Sequence, residues 1–338
     1  MSDLDLGGKV VLLTGATGSF GTAFIGHVTR RWPDAVIRAY SRDELKQSEL
    51  RARFGDEQVR YLIGDIRDRD RLTRAAQGVD VLVHAAAMKQ VPACEYNPFE
   101  AVRTNVHGAQ NVVDAAIDAR VPQVVALSTD KAVNPVNLYG ATKLCMEKIV
   151  VQGNAYAARS GTRLSCVRYG NVVGSRGSVV PLFLAQRAKG RLTITDERMT
   201  RFWITLDEAV GLVTHALAAM AGGEVFIPKI PSVKVTDLAA AIAPDAHHEV
   251  VGIRPGEKLH EVLLTGDEAR HAVDAGDVYI VLPEHPWWTL ETSGTPLPDG
   301  FEYASDTNDR WLGREELAAA LPAMEVDRRA AEAAGLPR

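Results

Sequence analysis

The sequence contains little cysteine, which limits the covalent and metal chemistry available to it. Its 338 residues include three cysteines, Cys94, Cys145 and Cys166. They are scattered and odd in number, so they match neither a disulfide framework nor the closely spaced pairs of a zinc site. We expect each to be a small buried side chain, and we predict no metal centre. Unpaired thiols suit a reducing compartment, so the sequence predicts a cytoplasmic protein.

Long apolar runs and an excess of positive charge are also absent. No run approaches the roughly 20 apolar residues that cross a bilayer. The chain begins MSDLDLGGK, which is acidic and lacks the apolar core of a signal peptide. The 38 Lys and Arg residues are outnumbered by 43 Asp and Glu, giving a net charge of −5 and a pI near 6.0. We therefore expect no membrane and no nucleic-acid partner, and an anionic ligand would need a local cluster of cations.

What is present is a regular alternation of short apolar segments with helix-sized intervals. The apolar segments are 10–13, 36–40, 59–63, 79–84, 123–127 and 164–169. This alternation predicts βαβ units and an α/β fold with a Rossmann-like, doubly wound parallel sheet. Residues 100–118 repeat apolar side chains at the helical period and predict an amphipathic helix.

The segment TGATGSFG, from Thr14 to Gly21, follows the first predicted strand and opens a helix. Its glycines at 15, 18 and 21 permit a tight turn, so that a pyrophosphate can approach the backbone N–H groups at the start of the helix. A glycine pattern alone is weak evidence, and a glycine-rich turn without a ligand is the alternative. Its position after a strand, in a chain that goes on alternating, favours a dinucleotide site.

The alternation loosens in the second half of the chain, where glycine and proline separate shorter elements. We expect residues 1–170 to form the dinucleotide-binding domain, with 204–228 returning to it, and leave open whether 304–320 also returns. Residues 171–203 and 229–303 are expected to form a smaller, interleaved C-terminal lobe for the substrate. A crevice between two lobes is a common place for a ligand.

The end of the second predicted strand bears on the choice of cofactor. A carboxylate there holds the ribose 2′-hydroxyl of NAD, whereas arginine accepts the 2′-phosphate of NADP. Ser41, Arg42 and Lys46 can surround a phosphate, so the sequence favours NADP. Asp43 keeps NAD as the less favoured alternative. Asp65, at the end of the third strand, is a candidate acceptor for the adenine amino group.

The segment STDKAVNPVNLYGATK, residues 128–143, carries the acid–base residues. Tyr139 and Lys143 are four residues apart, so they share one helix face. The ammonium group is expected to lower the pKa of the tyrosine, which then takes a proton from a hydroxyl. Asp130 and Lys131 add an acid and an amine that alcohol oxidation does not need. They indicate further proton transfers, and a surface ion pair at a strand end is the alternative.

Together these motifs resemble the extended short-chain dehydrogenase/reductase superfamily, through TGATGSFG and the Tyr139–Lys143 pair. Within it, the chain resembles the inverting UDP-N-acetylglucosamine 4,6-dehydratases of pseudaminic acid and polysaccharide biosynthesis. Long membrane-anchored relatives carry Met where this chain has Tyr139, so the resemblance is to the short soluble form. The segments that carry it extend over nearly the whole chain: 41–46, 87–92, 128–131, 168–177, 199–203, 252–258 and 305–308.

The resemblance implies a hydro-lyase that recycles a tightly bound NADP in each turnover. Tyr139, with Lys143, would remove the O4 proton of the sugar while C4 is oxidised, and Thr129 would hydrogen-bond the 4-oxygen. Lys131 would take the C5 proton and return it from the opposite face. Asp130 would protonate the leaving C6 hydroxyl, and hydride would return to C6. A lysine acts as a base only when its pKa is lowered, and this aspartic acid must be partly neutral.

The motifs and the resemblance together predict two sets of binding residues. The expected cofactor-binding residues are Thr14, Gly15, Thr17, Gly18, Ser19, Phe20, Gly21, Ser41, Arg42, Asp43, Lys46, Asp65, Ile66, Ala85, Ala86, Lys89, Tyr139, Lys143, Val172 and Arg176. The expected binding residues for UDP-N-acetylglucosamine are Lys89, Thr129, Asn171, Val179, Thr195, Arg201, Arg254 and Glu257. Lys89, Arg201 and Arg254 would supply positive charge for the diphosphate.

Three other functions use the same fold. A UDP-sugar 4-epimerase needs the tyrosine–lysine pair but neither Asp130 nor Lys131. A dehydratase could instead retain the configuration at C5 or act on another nucleotide sugar. A non-catalytic dinucleotide sensor would not need the tyrosine and lysine. The resemblance also implies a homo-oligomer, a dimer or a hexamer, paired through helices that match residues 100–118 and 140–158.

Overall fold

The computed structural model describes residues 4–174, 179–284 and 292–320. The strands are β1 (Val10–Thr14), β2 (Val36–Ser41), β3 (Val59–Ile63), β4 (Val81–His84), β5 (Gln123–Thr129), β6 (Arg163–Tyr169), β7 (Arg191–Ile194), β8 (Thr200–Phe202), β9 (Val225–Pro228), β10 (Ser232–Lys234), β11 (His247–Val250), β12 (Val262–Leu264), β13 (Ala272–Asp274), β14 (Val278–Val281), β15 (Thr295–Pro296) and β16 (Tyr303–Ala304). The α-helices are α1 (Ser19–Arg31), α2 (Glu44–Phe54), α3 (Arg69–Ala76), α4 (Val91–Tyr96), α5 (Pro98–Val102), α6 (Gly108–Asp118), α7 (Leu138–Ala157), α8 (Val179–Arg187), α9 (Leu206–Ala219), α10 (Val235–Ile242) and α11 (Gly266–Ala269). None of the helices in these described ranges has the length and apolar character needed to cross a membrane.

Within the described residues, one large sheet joins ten strands in the order β15-β13-β14-β9-β6-β5-β4-β1-β2-β3. The neighbouring strands β9, β6, β5, β4, β1, β2 and β3 are parallel to one another. Strands β14, β13 and β15 add an antiparallel edge beside β9. On one side of β1 the sheet continues with β2 and β3, and on the other side with β4, β5 and β6. Open α/β sheets bind ligands at such a switch in strand order. The predicted α/β fold with a doubly wound parallel sheet is confirmed.

Burial explains why the sequence pattern located the parallel strands well. In β1, the side chains of Val11, Leu12 and Leu13 have no exposed surface. Fully burying one such side chain stabilises the fold by about 1.5–3 kcal/mol. Parallel strands are covered by helices on both faces, so they read as continuous apolar runs. The predicted segments coincide with β1 to β6 apart from small differences at their ends.

The predicted helix over 100–118 is present as three consecutive parts: α5, a π-helical turn from Arg103 to His107, and α6. The π turn buries Asn105, whose side-chain oxygen accepts from the Met88 N–H at 2.8 Å. Its amide donates to the Met88 carbonyl at 2.9 Å. These bonds tie the helix to the loop that follows β4. A period of apolar residues does not reveal one inserted residue, so the sequence predicted a regular helix.

A second apolar cluster lies around α8, β7 and α10 and includes Phe183 and Trp203. The expected division into a dinucleotide domain and a substrate lobe stays a prediction. One of its boundaries differs from the observed topology, because the sequence assigns 229–303 to the lobe whereas β13 and β14 extend the large sheet beside β9. Val278 and Ile280 bury their side chains in the main core.

A buried arginine ties the second half of the chain to the sheet. Arg168, on β6, donates to the Glu147 carboxylate of α7 at 2.7 and 3.0 Å. It donates to the Glu268 carboxylate of α11 at 2.8 and 3.0 Å, and to the Leu263 carbonyl of β12 at 2.9 Å. Burial opposes the charge of Arg168, but the two carboxylates outweigh it and raise the pKa of the guanidinium. Every N–H of this buried cation is therefore used.

We predict that Glu147→Gln lowers the free energy of unfolding by about 3–5 kcal/mol, because it leaves a buried guanidinium poorly compensated. Denaturant unfolding measures this change. The control is Asp56→Asn, which removes a 2.6 Å ion pair between two exposed side chains, Asp56 and Arg51, and should leave stability nearly unchanged. Equal losses in the two variants would contradict a structural role for the buried cluster.

Candidate active site

The carboxyl ends of the parallel strands open into a cavity of about 1110 Å³. Most of the predicted site residues line it. The lining includes Gly15, Thr17, Gly18, Ser19, Phe20, Gly21, Ser41, Arg42, Asp43, Lys46, Asp65, Ile66, Ala85, Ala86, Lys89, Thr129, Lys131, Tyr139, Lys143, Asn171, Val172, Val179, Thr195, Arg201, Arg254 and Glu257. Thr14 and Asp130 lie behind the wall, and Arg176 falls outside the described residues. The fold thus gathers the predicted residues in one place, and their individual roles remain proposals.

The glycine turn after β1 packs against the residues that follow β4. Gly15 has φ +69°, and a Cβ there would lie 2.7 Å from the Ala86 nitrogen and 2.9 Å from the Ala85 oxygen. Thr14 braces this contact, because its hydroxyl oxygen accepts from the N–H groups of both alanines and hydrogen-bonds His84 Nδ1 at 2.8 Å. Burial lowers the pKa of His84 to about 3, so its imidazole is neutral. Thr14 is a support for the cradle rather than part of its surface.

The start of α1 is shaped to receive an anion. Its N-cap, Gly18, has no side-chain cap, so the first N–H groups of the helix have no such partner. A Cβ at Gly21 would lie 2.5 Å from the Ala16 carbonyl oxygen, so only glycine lets the helix start this close to the turn. Open backbone N–H groups at a helix start, beside a glycine cradle, are what a dinucleotide pyrophosphate needs. The residues present therefore fit a dinucleotide.

Charged side chains surround the end of β2 and β3. Asp43 caps α2 by accepting from the Lys46 N–H at 3.0 Å, and it pairs with the Lys46 ammonium at 3.2 Å. The backbone bond from Lys46 holds the pKa of Asp43 below its usual value. Asp65 lines the cavity and pairs with Arg67 at 2.7 Å and with Arg42 at 3.7 Å, and its role as the acceptor for adenine stays a prediction. Burial opposes its charge, but these arginines outweigh burial and lower the pKa of Asp65.

The turn after β5 brings three reactive groups together. The Thr129 hydroxyl donates to Asp130 Oδ1 at 2.8 Å. The Lys131 ammonium donates to the same oxygen and to Asn171 Oδ1, both at 3.0 Å. Asp130 is fully buried, and its Oδ2 has no hydrogen-bond partner among the residues that the structure describes. The acid and the amine are therefore not a surface ion pair.

Tyr139 and Lys143 share one face of α7, as the sequence predicts, but they interact differently from the expectation. Burial raises the pKa of Tyr139 to about 12, although Lys131 and a hydrogen bond with Thr129 act to lower it. Burial lowers the pKa of Lys143 to about 8, and its ammonium donates to the Leu127 carbonyl at 2.5 Å. The tyrosine pKa is thus raised rather than lowered as expected, because burial outweighs the charge of Lys131, and Lys143 turns toward β5.

Sequence reasoning missed a carboxyl in this cavity. Glu261, just before β12, is buried and lines the cavity. Its Oε1 lies 3.5 Å from Lys131 Nζ and 3.7 Å from Arg201 Nε. Its Oε2 has no hydrogen-bond partner within the described part of the chain. Burial, aided by the charge of Asp130, raises the pKa of Glu261. No motif marks this residue, since 130 positions separate it from the lysine it faces.

The pKa of Lys131 is higher than its proposed role requires. Burial acts to lower this pKa, but the carboxylates of Asp130 and Glu261 outweigh burial and raise it. The sequence argument required a lowered pKa for a lysine base. The groups around Lys131 hold it in the charged form, so the chemistry needs a partner that removes its proton.

Two of the basic residues predicted for a diphosphate, Arg201 and Arg254, differ in how firmly the protein holds them. Arg201 donates to the carbonyl oxygens of Leu259 and Lys258, both at 3.0 Å, so it also holds the segment before Glu261. The Arg254 side chain is 61% exposed and lies 3.9 Å from the Glu257 carboxylate. It is therefore available to adapt to an anionic ligand at the cavity mouth.

We predict that Gly15→Ala destabilises the protein by about 1–3 kcal/mol more than Gly55→Ala, because its methyl group would overlap backbone atoms. Gly55 is a matched control, since it has nearly the same φ, +68°, and open space around its Cβ position. Denaturant unfolding of the two variants measures the difference. Equal losses of unfolding free energy in the two variants would mean that the close approach of Gly15 to Ala85 and Ala86 does not affect stability.

Comparisons with known proteins find relatives over most of the chain. A curated relative from Campylobacter jejuni, named UDP-N-acetylglucosamine 4,6-dehydratase (inverting), is 49% identical over 92% of this chain and 96% of its own length. A relative from Rickettsia massiliae, named UDP-glucose 4-epimerase, is 42% identical over 80% of this chain and 82% of its own. The X-ray structure of Pen from Bacillus thuringiensis is 39% identical and superposes with a TM-score of 0.88, covering 96% of this chain and 100% of that one.

Residues 11–283 match the family described as polysaccharide biosynthesis protein. This match extends from β1 to just beyond β14 and includes the glycine turn, the turn after β5 and the Glu261 segment. Together with the relatives above, it confirms the resemblance drawn from the motifs. The chain belongs to the polysaccharide biosynthesis protein family, among the dehydratases of the extended short-chain dehydrogenase/reductase superfamily.

Proposed function

We propose that this protein is a hydro-lyase that removes water from UDP-N-acetylglucosamine, inverts C5 and yields a UDP-2-acetamido-2,6-dideoxy-hexos-4-ulose. The observation that carries this proposal is the position of Lys131. Its amine lies in the cavity between Asn171 and the buried Asp130, next to the oxidation residues. The 49% identical relative, whose name is that of this reaction, supports the same assignment.

A nicotinamide dinucleotide, when bound, would supply the hydride acceptor for C4 and the hydride donor for C6. The glycine turn and the open start of α1 would hold its pyrophosphate. Tyr139, Lys143 and Val172 line the part of the cavity proposed for the nicotinamide end. We favour NADP over NAD, because Arg42 and Lys46 line the opposite end, where the Asp43 carboxylate is already engaged by Lys46.

The proton chemistry follows from a short chain of hydrogen bonds. Tyr139 takes the O4 proton, and Thr129 links this tyrosine to Asp130. Because Tyr139 is itself protonated, its own hydroxyl proton passes through Thr129 to the aspartate as it takes the O4 proton, and the aspartate then supplies the proton for the departing C6 hydroxyl. Because Asp130 lies behind the cavity wall, its proton reaches the sugar through Thr129 or Lys131, the lining groups that it contacts. The proton that leaves in the lost water is thus the former hydroxyl proton of Tyr139, and the O4 proton takes its place.

Lys131 takes the C5 proton after C4 has become a ketone, which makes that proton acidic. Return of the proton from the opposite face inverts C5. Arg201 and Arg254, with Lys89, line the cavity and are proposed to hold the diphosphate. Arginine can do so with paired hydrogen bonds.

A UDP-sugar 4-epimerase is the second candidate, because a 42% identical relative carries the name of such an enzyme. An epimerase would use Tyr139 and Lys143 but would leave the buried Asp130–Lys131 pair without a chemical role. A dehydratase that retains C5 would keep the elimination and would need a different base.

We also propose a homo-oligomer that pairs through α5 to α7. Tyr96, Phe99 and Tyr156 are each more than three-quarters exposed on α4, α5 and α7. Large exposed apolar side chains on neighbouring helices are typical of a protein contact.

Cys94 and Cys166 are buried as expected, whereas Cys145 is exposed, so that expectation is wrong for Cys145. All three thiols are free, which suits a cytoplasmic location. Pseudaminic acid biosynthesis is the pathway that the resemblance implies.

Incubation of the pure protein with UDP-N-acetylglucosamine in deuterated water tests the function. We expect NMR to show a 6-deoxy-4-keto sugar with deuterium at C5 and inverted coupling. Lys131→Gln should slow C5 exchange by at least about 100-fold and leave C4 oxidation measurable. Lys189→Gln, a change at an exposed lysine outside the cavity, is the control.

Other products of the same incubation would change the assignment. A 4-keto product with C5 retained would keep the dehydratase and remove Lys131 as the base. Formation of the galacto isomer without deuterium would overturn the proposal in favour of the epimerase.

Arg42→Ala tests the cofactor preference. Loss of a charged hydrogen bond to the 2′-phosphate should weaken NADP binding by about 10- to 100-fold and leave NAD binding unchanged. Calorimetric titration with both cofactors measures this difference. Arg53→Ala, at an arginine on α2 outside the cavity, is the control. An equal loss for NAD would argue against a phosphate contact at Arg42.

A further inference from the structure

Two buried carboxyls share one amine at the wall of the cavity. Lys131 Nζ lies 3.0 Å from Asp130 Oδ1 and 3.5 Å from Glu261 Oε1. Each carboxyl also has a buried oxygen without a hydrogen-bond partner among the described residues, Oδ2 of Asp130 and Oε2 of Glu261. Two neighbouring buried carboxyls resist carrying full charge together, and the amine that both contact offsets this repulsion.

Within the described part of the chain, the charged groups that act most strongly on Glu261 come from three segments. Asp130 and Lys131 lie on the turn after β5, Arg201 lies on β8, and Lys258 precedes Glu261 in its own segment. Of these groups, only Lys131 is the proposed base for the C5 proton. Asp130 is already proposed to carry a proton to the C6 hydroxyl through its contacts with Thr129 and this lysine, so Glu261 is the carboxyl left to take the proton of Lys131.

We propose that Glu261 accepts the proton of Lys131 and thereby converts this lysine into the base for C5, an inference that rests on the proposed dehydratase function. An N–H bond of the Lys131 ammonium breaks and an O–H bond forms on Glu261. The neutral amine then takes the C5 proton and later returns it to the opposite face. Glu261 gives its proton back to the amine, so the site ends as it began.

The environment favours this transfer when a substrate fills the cavity. Expelling water penalises an ion pair more than the corresponding neutral pair. Burial and the charge of Asp130 already raise the pKa of Glu261, which favours its protonated form. Glu261 acts here through Lys131, so it is a positioning residue for the proton rather than a group that attacks the sugar.

The backbone of Glu261 is held in place from a distant segment. Its N–H donates to Ser305 Oγ at 2.9 Å, and the Ser305 N–H donates to the Glu261 carbonyl at 2.8 Å. Ser305 Oγ also hydrogen-bonds the Thr200 hydroxyl at 2.7 Å. The two bonds between Glu261 and Ser305 fix the position of the segment that carries the Glu261 carboxyl beside Lys131.

The proposal makes a specific prediction about pH. In the wild-type protein the Lys131–Glu261 pair carries one shared proton, so C5 proton removal should change little around neutral pH. Glu261→Gln removes the acceptor, and Lys131 must then lose its proton to solvent. C5 exchange should fall by about 100-fold near pH 7 and recover as pH rises. Glu261→Asp keeps a carboxyl and should keep the flat profile.

The experiment compares two steps in the same holoenzyme. Deuterium uptake at C5 reports the step assigned to Lys131, and absorbance of the reduced nicotinamide reports C4 oxidation. We expect Glu261→Gln to lose the first and keep the second. Glu224→Gln is a matched control, since Glu224 is buried and hydrogen-bonded to Ser165 at 2.6 Å but does not line the cavity. It should lower stability without changing the ratio of the two steps.

A uniform loss of C5 exchange at every pH in Glu261→Gln would mean a structural role and would overturn the proposal. Unchanged exchange with an unchanged profile would overturn it as well. If Glu261→Gln does not fold, the Glu261→Asp variant decides by the same measurement, and an alkaline-dependent rate there counts against the proposal.

A second readout uses no nucleotide sugar and so separates this inference from the proposed function. Lysine amines are reductively methylated with isotope-labelled methyl groups, and the Lys131 resonance is titrated by NMR. Glu261→Gln should lower the pKa of Lys131, because a negative charge that raises this pKa is removed. An unchanged titration would refute the coupling even if the wild-type protein proved to act on another sugar. Failure of the wild-type protein with UDP-N-acetylglucosamine, with the titration shifted, would reject only the proposed substrate.

Discussion

The buried guanidinium of Arg168 sets the distance between the two halves of the cavity. It bonds Glu147 on α7, the helix that also carries Tyr139 and Lys143. It also bonds the Leu263 carbonyl in the strand that directly follows Glu261. The helix that carries the proposed oxidation residues and the strand that follows Glu261 are thus both hydrogen-bonded to the same buried cation. Breaking a buried ion cluster of this kind costs several kcal/mol, so the relative placement of these groups is strongly held.

The pKa values of the residues in the cavity do not individually match the proton transfers proposed for them. Burial raises the pKa of Tyr139 to about 12 and lowers that of Lys143 to about 8, while neighbouring carboxylates raise that of Lys131. The proposed bases therefore hold their protons in the resting arrangement. Hydrogen-bonded neighbours, such as Thr129 beside Tyr139, provide routes by which those protons can move. In the proposed mechanism, proton transfer within the cluster replaces exchange with water.

The sequence predicted the parts of the fold in which local pattern and burial agree. The parallel strands are continuous apolar runs because helices cover both sheet faces, and the glycine turn needs residues with no Cβ. The sequence also predicted the proximity of Asp130 and Lys131 to Tyr139, because these residues lie close together along the chain. The position of Glu261 was not predicted, since it depends on how a distant strand docks. The edge strands β13 and β14 were missed for the same reason, because their pairing with β9 is a tertiary contact.

The chemistry of this fold is divided among short segments that contribute little to the sheet. Oxidation is proposed for residues on α7, whereas elimination is proposed for the turn after β5 and for Glu261. Both of the latter lie at strand ends, outside the large apolar core. Substitutions there can change the reaction without disturbing the packing of β1 to β6. Related enzymes can therefore diverge from elimination to simple inversion at C4 through a few replacements at two loops, while cofactor site and scaffold are inherited intact.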